Sequence, residues 1–305
     1  MKVRKIMNLD QLVDDLCHMQ EKKTVAVAEA TNVETLKAVK EGVEKHLATF
    51  KLFGSMEKIQ EAAEAIDLNL QHEHITLHHA TSVENAVEKA VMSVSEERSD
   101  VLMKGDVATK IVLKAVLNKN SGLRNGRVLS HVALFEMPQQ NRMLFLTDAG
   151  MNIAPDLEEK AQITQNAVDV ANRIGYDNPK VAPIAAVEIV NPTMQASVDA
   201  AVLSQMQKRG QITGCTVDGP LGFDNAISPM AKEEKKIESD VAGQADILVC
   251  PYIEVGNTLY KSFTYFANAK VAGIISGAKA PIVLTSRADT AESKIYSLAF
   301  ALTSS

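Results

Sequence analysis

The chain has 305 residues, 46% of them hydrophobic and 23% charged, with 32 Lys and Arg against 38 Asp and Glu for a net charge of −6. An acidic balance without a long Lys/Arg block excludes the electrostatic footprint of a duplex nucleic-acid binder, yet leaves room for a locally basic site that takes an anion. No stretch approaches the roughly 18 continuous apolar residues of a membrane span, and "MKVRKIMNLDQLVDDL" turns acidic and amphipathic where a secretory signal would be apolar.

In chain order, short apolar runs alternate with helical periodicity. A helix over 9–19 leads to the run "TVAVAEA" at 24–30, then a helix over 33–47. A helix over 83–97, the run "VLMKG" at 101–105 and a helix over 107–117 follow. The runs at 126–135 and 142–150 are separated only by "EMPQQN", a hairpin-like loop that breaks the rhythm. Beyond it come a helix over 157–174, the run 181–188, a helix over 194–209, and the runs 213–219 and 245–251. A helix over 258–268, the runs 273–278 and 281–286 and an amphipathic closing helix end the chain. Continuously apolar strands alternating with helices predict an α/β fold whose mostly parallel sheets are flanked by helices. The loop at 136–141 marks the start of a second lobe. Parallel sheets place ligands at the carboxyl ends of their strands, so chemistry is expected in the loops after each run.

Three such turns stand out. In "PIVLTSRADTAESKIYSLAFAL", Asp289 and Glu292 have capping-box spacing, ahead of a helix that buries Ile295, Leu298, Ala299 and Leu302. Ser286 and Arg287 then precede a helix N-terminus, where free N–H groups and the dipole attract anions and a guanidinium forks onto phosphate. The competing account is an ordinary surface turn with ordinary caps. "VLMKGDVATK" repeats the arrangement, with Lys104 and Gly105 ending a strand, Asp106 as cap and Lys110 one turn in; such turns are common in α/β proteins. In "TVDGPLGFDNAIS", Asp218, Gly219 and Pro220 form a sharp turn, which on spacing alone Asx turns explain as well as a binding loop does.

Taken together, "DGPLGFDNAIS", "GQADILVCPYIEVGNTLYKSFTYFANAKVAGIISGAKAPIVLTSRADT" and, more weakly, "MKGDVATK" resemble the phosphate acetyl/butyryl transferase family from residue 100 onward. The resemblance implies two α/β domains of the isocitrate/isopropylmalate dehydrogenase type, with the active-site cleft between them. It sends the closing helix back to the first domain, giving 1–128 plus 284–305 as one domain and 129–283 as the other. It implies transfer of a short acyl group, butyryl or branched, between coenzyme A and inorganic phosphate. No cofactor or metal is implied beyond those two substrates. A homo-oligomer, dimer or larger, is implied as well, while the cytoplasmic location expected for this chain rests on its unpaired cysteines.

By resemblance, Ser286 and Arg287 meet the phosphate or acyl phosphate. Asn257 and Lys261, from "GN…YK", line the cleft, and Lys104, Gly105, Asp218, Gly219 and Pro220 bind substrate. The chain departs from the family where acetyl-specific relatives carry a catalytic aspartate seven residues after the motif serine, since Ser293 stands there. Glu292 and Asp289 are the remaining candidates for the base, and helix capping explains both equally well. A phosphate acetyltransferase, a metal-dependent dehydrogenase on the same plan, and a non-catalytic acyl-CoA or acyl-phosphate binding protein are the alternatives.

Two further groups call for a weighing. Cys215 and Cys250 are the alternative nucleophiles of a ping-pong route, yet both sit in apolar strand runs and read as buried structural thiols. With Cys17 they make three widely spaced cysteines without a CxxC pair, which fits a reducing compartment. "QHEHITLHH" gathers His72, His74, His78 and His79; on a strand, three would share a face as metal ligands do, but an exposed polar face is the simpler account.

Overall fold

The computed structural model describes residues 5–138, 140, 142–284 and 290–305. Ser286, Arg287 and Asp289 fall outside the described residues. The chain divides into two compact units.

The first unit takes Leu9–Arg127 and Ala272–Ser305. Its first stretch runs α1 (Leu9–Cys17), β1 (Thr24–Ala28), α2 (Val33–Glu44), β2 (Thr49–Gly54), α3 (Met56–Glu64), β3 (Ile75–His79), α4 (Val83–Ser95), β4 (Val101–Lys104) and α5 (Thr109–Val116). Caps set the helix starts: the Asn32 side chain accepts from Thr35 N–H to open α2, and Ser82 accepts from Asn85 N–H to open α4. Each helix presents an apolar stripe inward, Leu36, Val39 and Val43 on α2 and Val87, Val91 and Val94 on α4. β1 pairs in parallel with β2 on one side and β4 on the other. That central place explains its unbroken apolar run, since both of its faces are covered.

The second unit takes residues 5–8 and Val128–Val271. Its elements are β5 (Ser130–Met137), β6 (Arg142–Thr147), α6 (Leu157–Arg173), β7 (Lys180–Pro183), α7 (Gln195–Lys208), β8 (Thr216–Val217), α8 (Phe223–Ile227), α9 (Pro229–Glu234), β9 (Ile247–Val249) and α10 (Ile253–Tyr265). β5 runs antiparallel to β6; β6, β9, β7 and β8 then follow side by side in parallel. Asp156 and Glu159 close a full capping box at the start of α6. Phe135, Leu144, Leu146 and Leu248 form the core together with Phe263 of α10.

The chain leaves this unit along β10 (Lys270–Ser276), and β11 (Ile282–Val283) with α11 (Ala291–Ser304) completes the first unit. β11 lies parallel to β4, and β10 antiparallel to β11. The first unit's strand order is therefore β3-β2-β1-β4-β11-β10. α11 is buried on nearly every side, through Ile295, Leu298, Phe300 and Leu302, and packs against α1 and α2.

Three expectations shift. β2 and α3 stand where none was predicted: in "TFKLFG" Phe50, Leu52 and Phe53 are buried while Lys51 is half-buried, an alternation that belongs to a strand nearer the sheet's edge. α10 starts at Ile253, five residues before the predicted 258, and so takes in the "GN" motif. β3 starts only at Ile75, so His72 and His74 lie in the preceding turn and share no strand face with His78, which stacks on Phe53 at 4.6 Å. Among the described residues no helix is long and apolar enough to cross a membrane, and no group of three or more His, Cys, Asp or Glu is placed to hold a metal ion.

Candidate active site

At the carboxyl ends of β4 and β11 the first unit opens a cavity of about 650 Å3. Lys104, Gly105, Thr109 and Leu284 line it, together with Asn32 at the head of α2 and Lys294 in the first turn of α11. The turn after β4 is fastened to the end of β1: Gly105 N–H donates to Ala28 O at 2.8 Å and Asp106 N–H to Glu29 O at 2.7 Å. Only glycine fits there, because a Cβ on Gly105 would lie 2.1 Å from Glu29 O. The Lys104 ammonium is tethered to Gly105 O and Val107 O, each at 3.2 Å. α5 begins beside it with no side-chain cap and no acidic residue in its first turn, so its free N–H groups stay open.

Lys294 was not singled out from the sequence. It is 8% exposed, and its ammonium stands 3.6 Å from Glu34 Oε2. Glu34 also accepts from Lys37 at 2.9 Å, and this hydrogen bond and charge, with the Lys294 charge, hold its carboxyl below the usual carboxylate range. Glu34 is therefore shared between two lysines, and a buried cation at the positive end of a helix is left only partly neutralised. The signal was present in the sequence: a lysine one turn before Leu298, on the buried face of an otherwise apolar helix.

Glu292 is exposed in the same first turn, with the Tyr296 hydroxyl 3.0 Å from its Oε1. Asp10 reaches the same hydroxyl. Thr290 caps α11 by accepting from Ser293 N–H, one residue later than the Asp289/Glu292 spacing predicts.

The second unit gathers its own turns at the carboxyl ends of β6, β7, β8 and β9. Asp148, 3% exposed after β6, accepts N–H bonds from Gly150, Met151 and Asn152 and a 2.6 Å bond from Asn152 Nδ2. Asn152 Nδ2 also donates to Leu129 O at 2.8 Å. The "GN" pair of α10 rests on this turn: a Cβ on Gly256 would lie 2.2 Å from Asp148 O, and Asn257 Nδ2 donates to Ala149 O at 3.4 Å. Lys261, exposed one turn further on, stands over the Tyr260 ring at 5.4 Å.

After β8, Asp218 N–H donates to Val181 O at 3.1 Å, and the Gly219–Pro220 peptide is cis. Behind these turns, Lys160 and Asp199 form a buried ion pair at 2.6 Å, with Gln195 donating to the other Asp199 oxygen and the Tyr252 ring 5.2 Å from Lys160 Nζ. Asp148, Asn152, Lys160 and Asp199 were not singled out from the sequence, and Gly256 only as part of the "GN" motif; an Asp directly after an apolar run, in "LTDAGMN", was the legible sign.

The cysteines are settled by burial. It pushes the Cys215 thiol up to about 12, with the Asp169 charge adding to it, and burial likewise pushes Cys250 upward with help from Asp148. Both remain thiols near neutrality and make poor nucleophiles.

The profile of the family described as phosphate acetyl/butaryl transferase matches residues 70–302. A probable phosphate butyryltransferase of Bacillus subtilis is 54% identical over 93% of this chain and 93% of its own length. A phosphate butyryltransferase of Clostridium beijerinckii is 45% identical over 96% of each chain. Among solved structures, a branched-chain phosphotransacylase from Enterococcus faecalis superposes with a TM-score of 0.81 at 36% identity, covering 92% of this chain and 98% of that one.

Proposed function

Because this chain belongs to the phosphate acetyl/butaryl transferase family, we propose that it moves a butyryl or branched short-chain acyl group between coenzyme A and inorganic phosphate. A phosphate oxygen attacks the thioester carbonyl, the C–S bond breaks, and coenzyme A leaves as a thiolate that takes up a proton. Acyl phosphate is the other product. In reverse, the thiol gives up its proton and attacks the acyl phosphate.

The observation that carries this reading is the first unit's cavity. It offers two lysines and an uncapped helix N-terminus to an anion. The strand-end residue Leu284 and the helix residue Lys294 both line it, and Ser286 and Arg287 lie between these two in sequence. Arg287 is assigned to grip the transferred phosphate and Ser286 to donate to the oxyanion, with Lys104 and Lys294 neutralising charge. Gly105 keeps the backbone close. Glu292 and Asp289 are the assigned proton acceptors. In the second unit, Asp218, Gly219, Pro220, Asn257 and Lys261 are assigned to substrate binding, and Asp148 fixes the turn against which Asn257 rests.

Direct transfer without an acyl-enzyme fits the protonated, buried state of Cys215 and Cys250. The same reading makes the protein a cytoplasmic homo-oligomer whose partners are acyl-CoA and phosphate, with no resident cofactor.

The test is release of coenzyme A thiol from acetyl-, butyryl- and isobutyryl-CoA, with and without phosphate, in EDTA. Phosphate-dependent release is expected, fastest with the four-carbon chains and largely abolished in Arg287→Ala. Fastest release from acetyl-CoA would reassign the acyl preference. Saturable acyl-CoA binding with no release from any of the three would leave a binding protein.

A further inference from the structure

The second unit has another cavity, of about 370 Å3, lined by Lys5, Arg142, Tyr176, Lys180, Gln244 and Asp246 among others. It lies at the amino-terminal ends of β6 and β7 and just before β9, whereas the turns at Asp148 and Asp218 lie at the carboxyl ends. Five residue steps along β6 separate Arg142 from Thr147, about 17 Å at roughly 3.3 Å per residue.

The charges here do not balance. Three cations converge from three separate segments, and Asp246 is the one carboxylate lining the cavity with them. Asp246 is already engaged: Oδ2 accepts the Lys180 backbone N–H at 2.9 Å, and Oδ1 stands 3.7 Å from the Lys5 ammonium. The Lys180 ammonium has no hydrogen-bond or ion-pair partner among the described residues. Arg142 donates to the carbonyls of Ile227 and Ala245, neutral acceptors that orient the guanidinium without cancelling its charge. Two bonds leave it donors to spare, since the group carries five N–H. Burial disfavours its charged form, the sign of a cation held out of water. Lys5 also lies over the Tyr176 ring at 4.3 Å, and the Tyr176 hydroxyl donates to Ile6 O. The amino-terminal segment that brings Lys5 is thereby held in place.

A solvated surface cluster would let its cations spread apart into water. This one instead fixes a planar fork beside a free ammonium, which is how phosphate is recognised. We propose that this cavity binds a small multiply charged anion, inorganic phosphate or the phosphate group of a monoester, at a place distinct from the carboxyl-end turns. A volume of about 370 Å3 holds such a group with several waters, each occupying about 30 Å3.

The experiment is calorimetric titration of the full chain with inorganic phosphate and, separately, with glycerol 3-phosphate. Wild type is expected to show two classes of phosphate site. Lys180→Ala and Lys5→Ala, at exposed or half-buried side chains outside the transfer machinery, should each weaken one class at least tenfold while leaving coenzyme A release intact. Lys104→Ala should weaken the other. Glycerol 3-phosphate binding that is lost in the same two variants assigns the monoester, and binding of inorganic phosphate alone assigns the free ion. Phosphate binding in which no class of site, whether one or two are seen, is weakened by Lys180→Ala and Lys5→Ala overturns the proposal. The titration reads this cavity whether or not acyl transfer is observed, so the two readings fail separately.

Discussion

Asp148→Asn tests how the second unit holds its turn. The carboxylate accepts four hydrogen bonds, Oδ1 from Gly150 and Met151 N–H at 2.8 and 2.9 Å, Oδ2 from Asn152 N–H and Nδ2 at 3.2 and 2.6 Å. In the variant one oxygen becomes an NH2 group, so one pair of donors faces another donor instead of an acceptor. Hydrogen bonds to charged groups contribute about 1.5–3 kcal/mol each, so losing two costs about 3–6 kcal/mol. For a unit of this size, 1 kcal/mol moves the midpoint by about 2–4 °C, and the loss should lower it by about 10 °C. Because Asn257 donates to Ala149 O on the same turn, a displacement of about 1 Å should also lower kcat/KM by about a hundredfold. Scanning calorimetry with coenzyme A release on the same preparations measures both. A midpoint within about 2 °C of wild type, with unchanged kinetics, would refute the claim that this carboxylate organises the turn.

Lys294→Met should separate binding from stability. Removing a buried, half-neutralised ammonium leaves the melting temperature unchanged or higher while raising KM for phosphate at least tenfold, an assignment that an unchanged KM would end. Gly105→Ala puts a Cβ 2.1 Å from a carbonyl oxygen, so the turn must open; about 1–3 kcal/mol of stability and nearly all turnover should be lost, read by urea denaturation and rate. The Cys215 thiol is pushed from its ordinary 9.0 up to about 12, so the folded chain keeps its proton where the unfolded chain has released it. Its contribution to stability is therefore complete below pH 9 and is lost as pH rises from 9 toward 12, so urea midpoints should fall across that window less steeply in Cys215→Ala. Iodoacetamide at neutral pH should leave Cys215 and Cys250 unmodified and turnover intact; alkylation with parallel inactivation would reopen the acyl-enzyme route.

What the sequence determined by itself was local. The unbroken apolar run of β1 declared a strand covered on both faces, the apolar periodicity over 33–47 and 157–174 declared two helices, and "VLMKG" ending at Lys104 pointed to a strand-end turn. The motif "GNTLYKSF" pointed to the family, yet its helix starts earlier than periodicity suggested. Gly256 looks like a helix breaker until its close approach to Asp148 O is seen.

Tertiary structure alone decided which distant groups meet. Lys160 and Asp199, 39 residues apart, neutralise each other in the interior; Lys294 reaches Glu34 across two helices; β11 adds to β4 from the far end of the chain. Periodicity reports which face of an element is buried, and capping reports which backbone donors are free, because both act within a few residues. Charge pairing and cavity lining depend on where whole elements pack, and no local pattern carries that information.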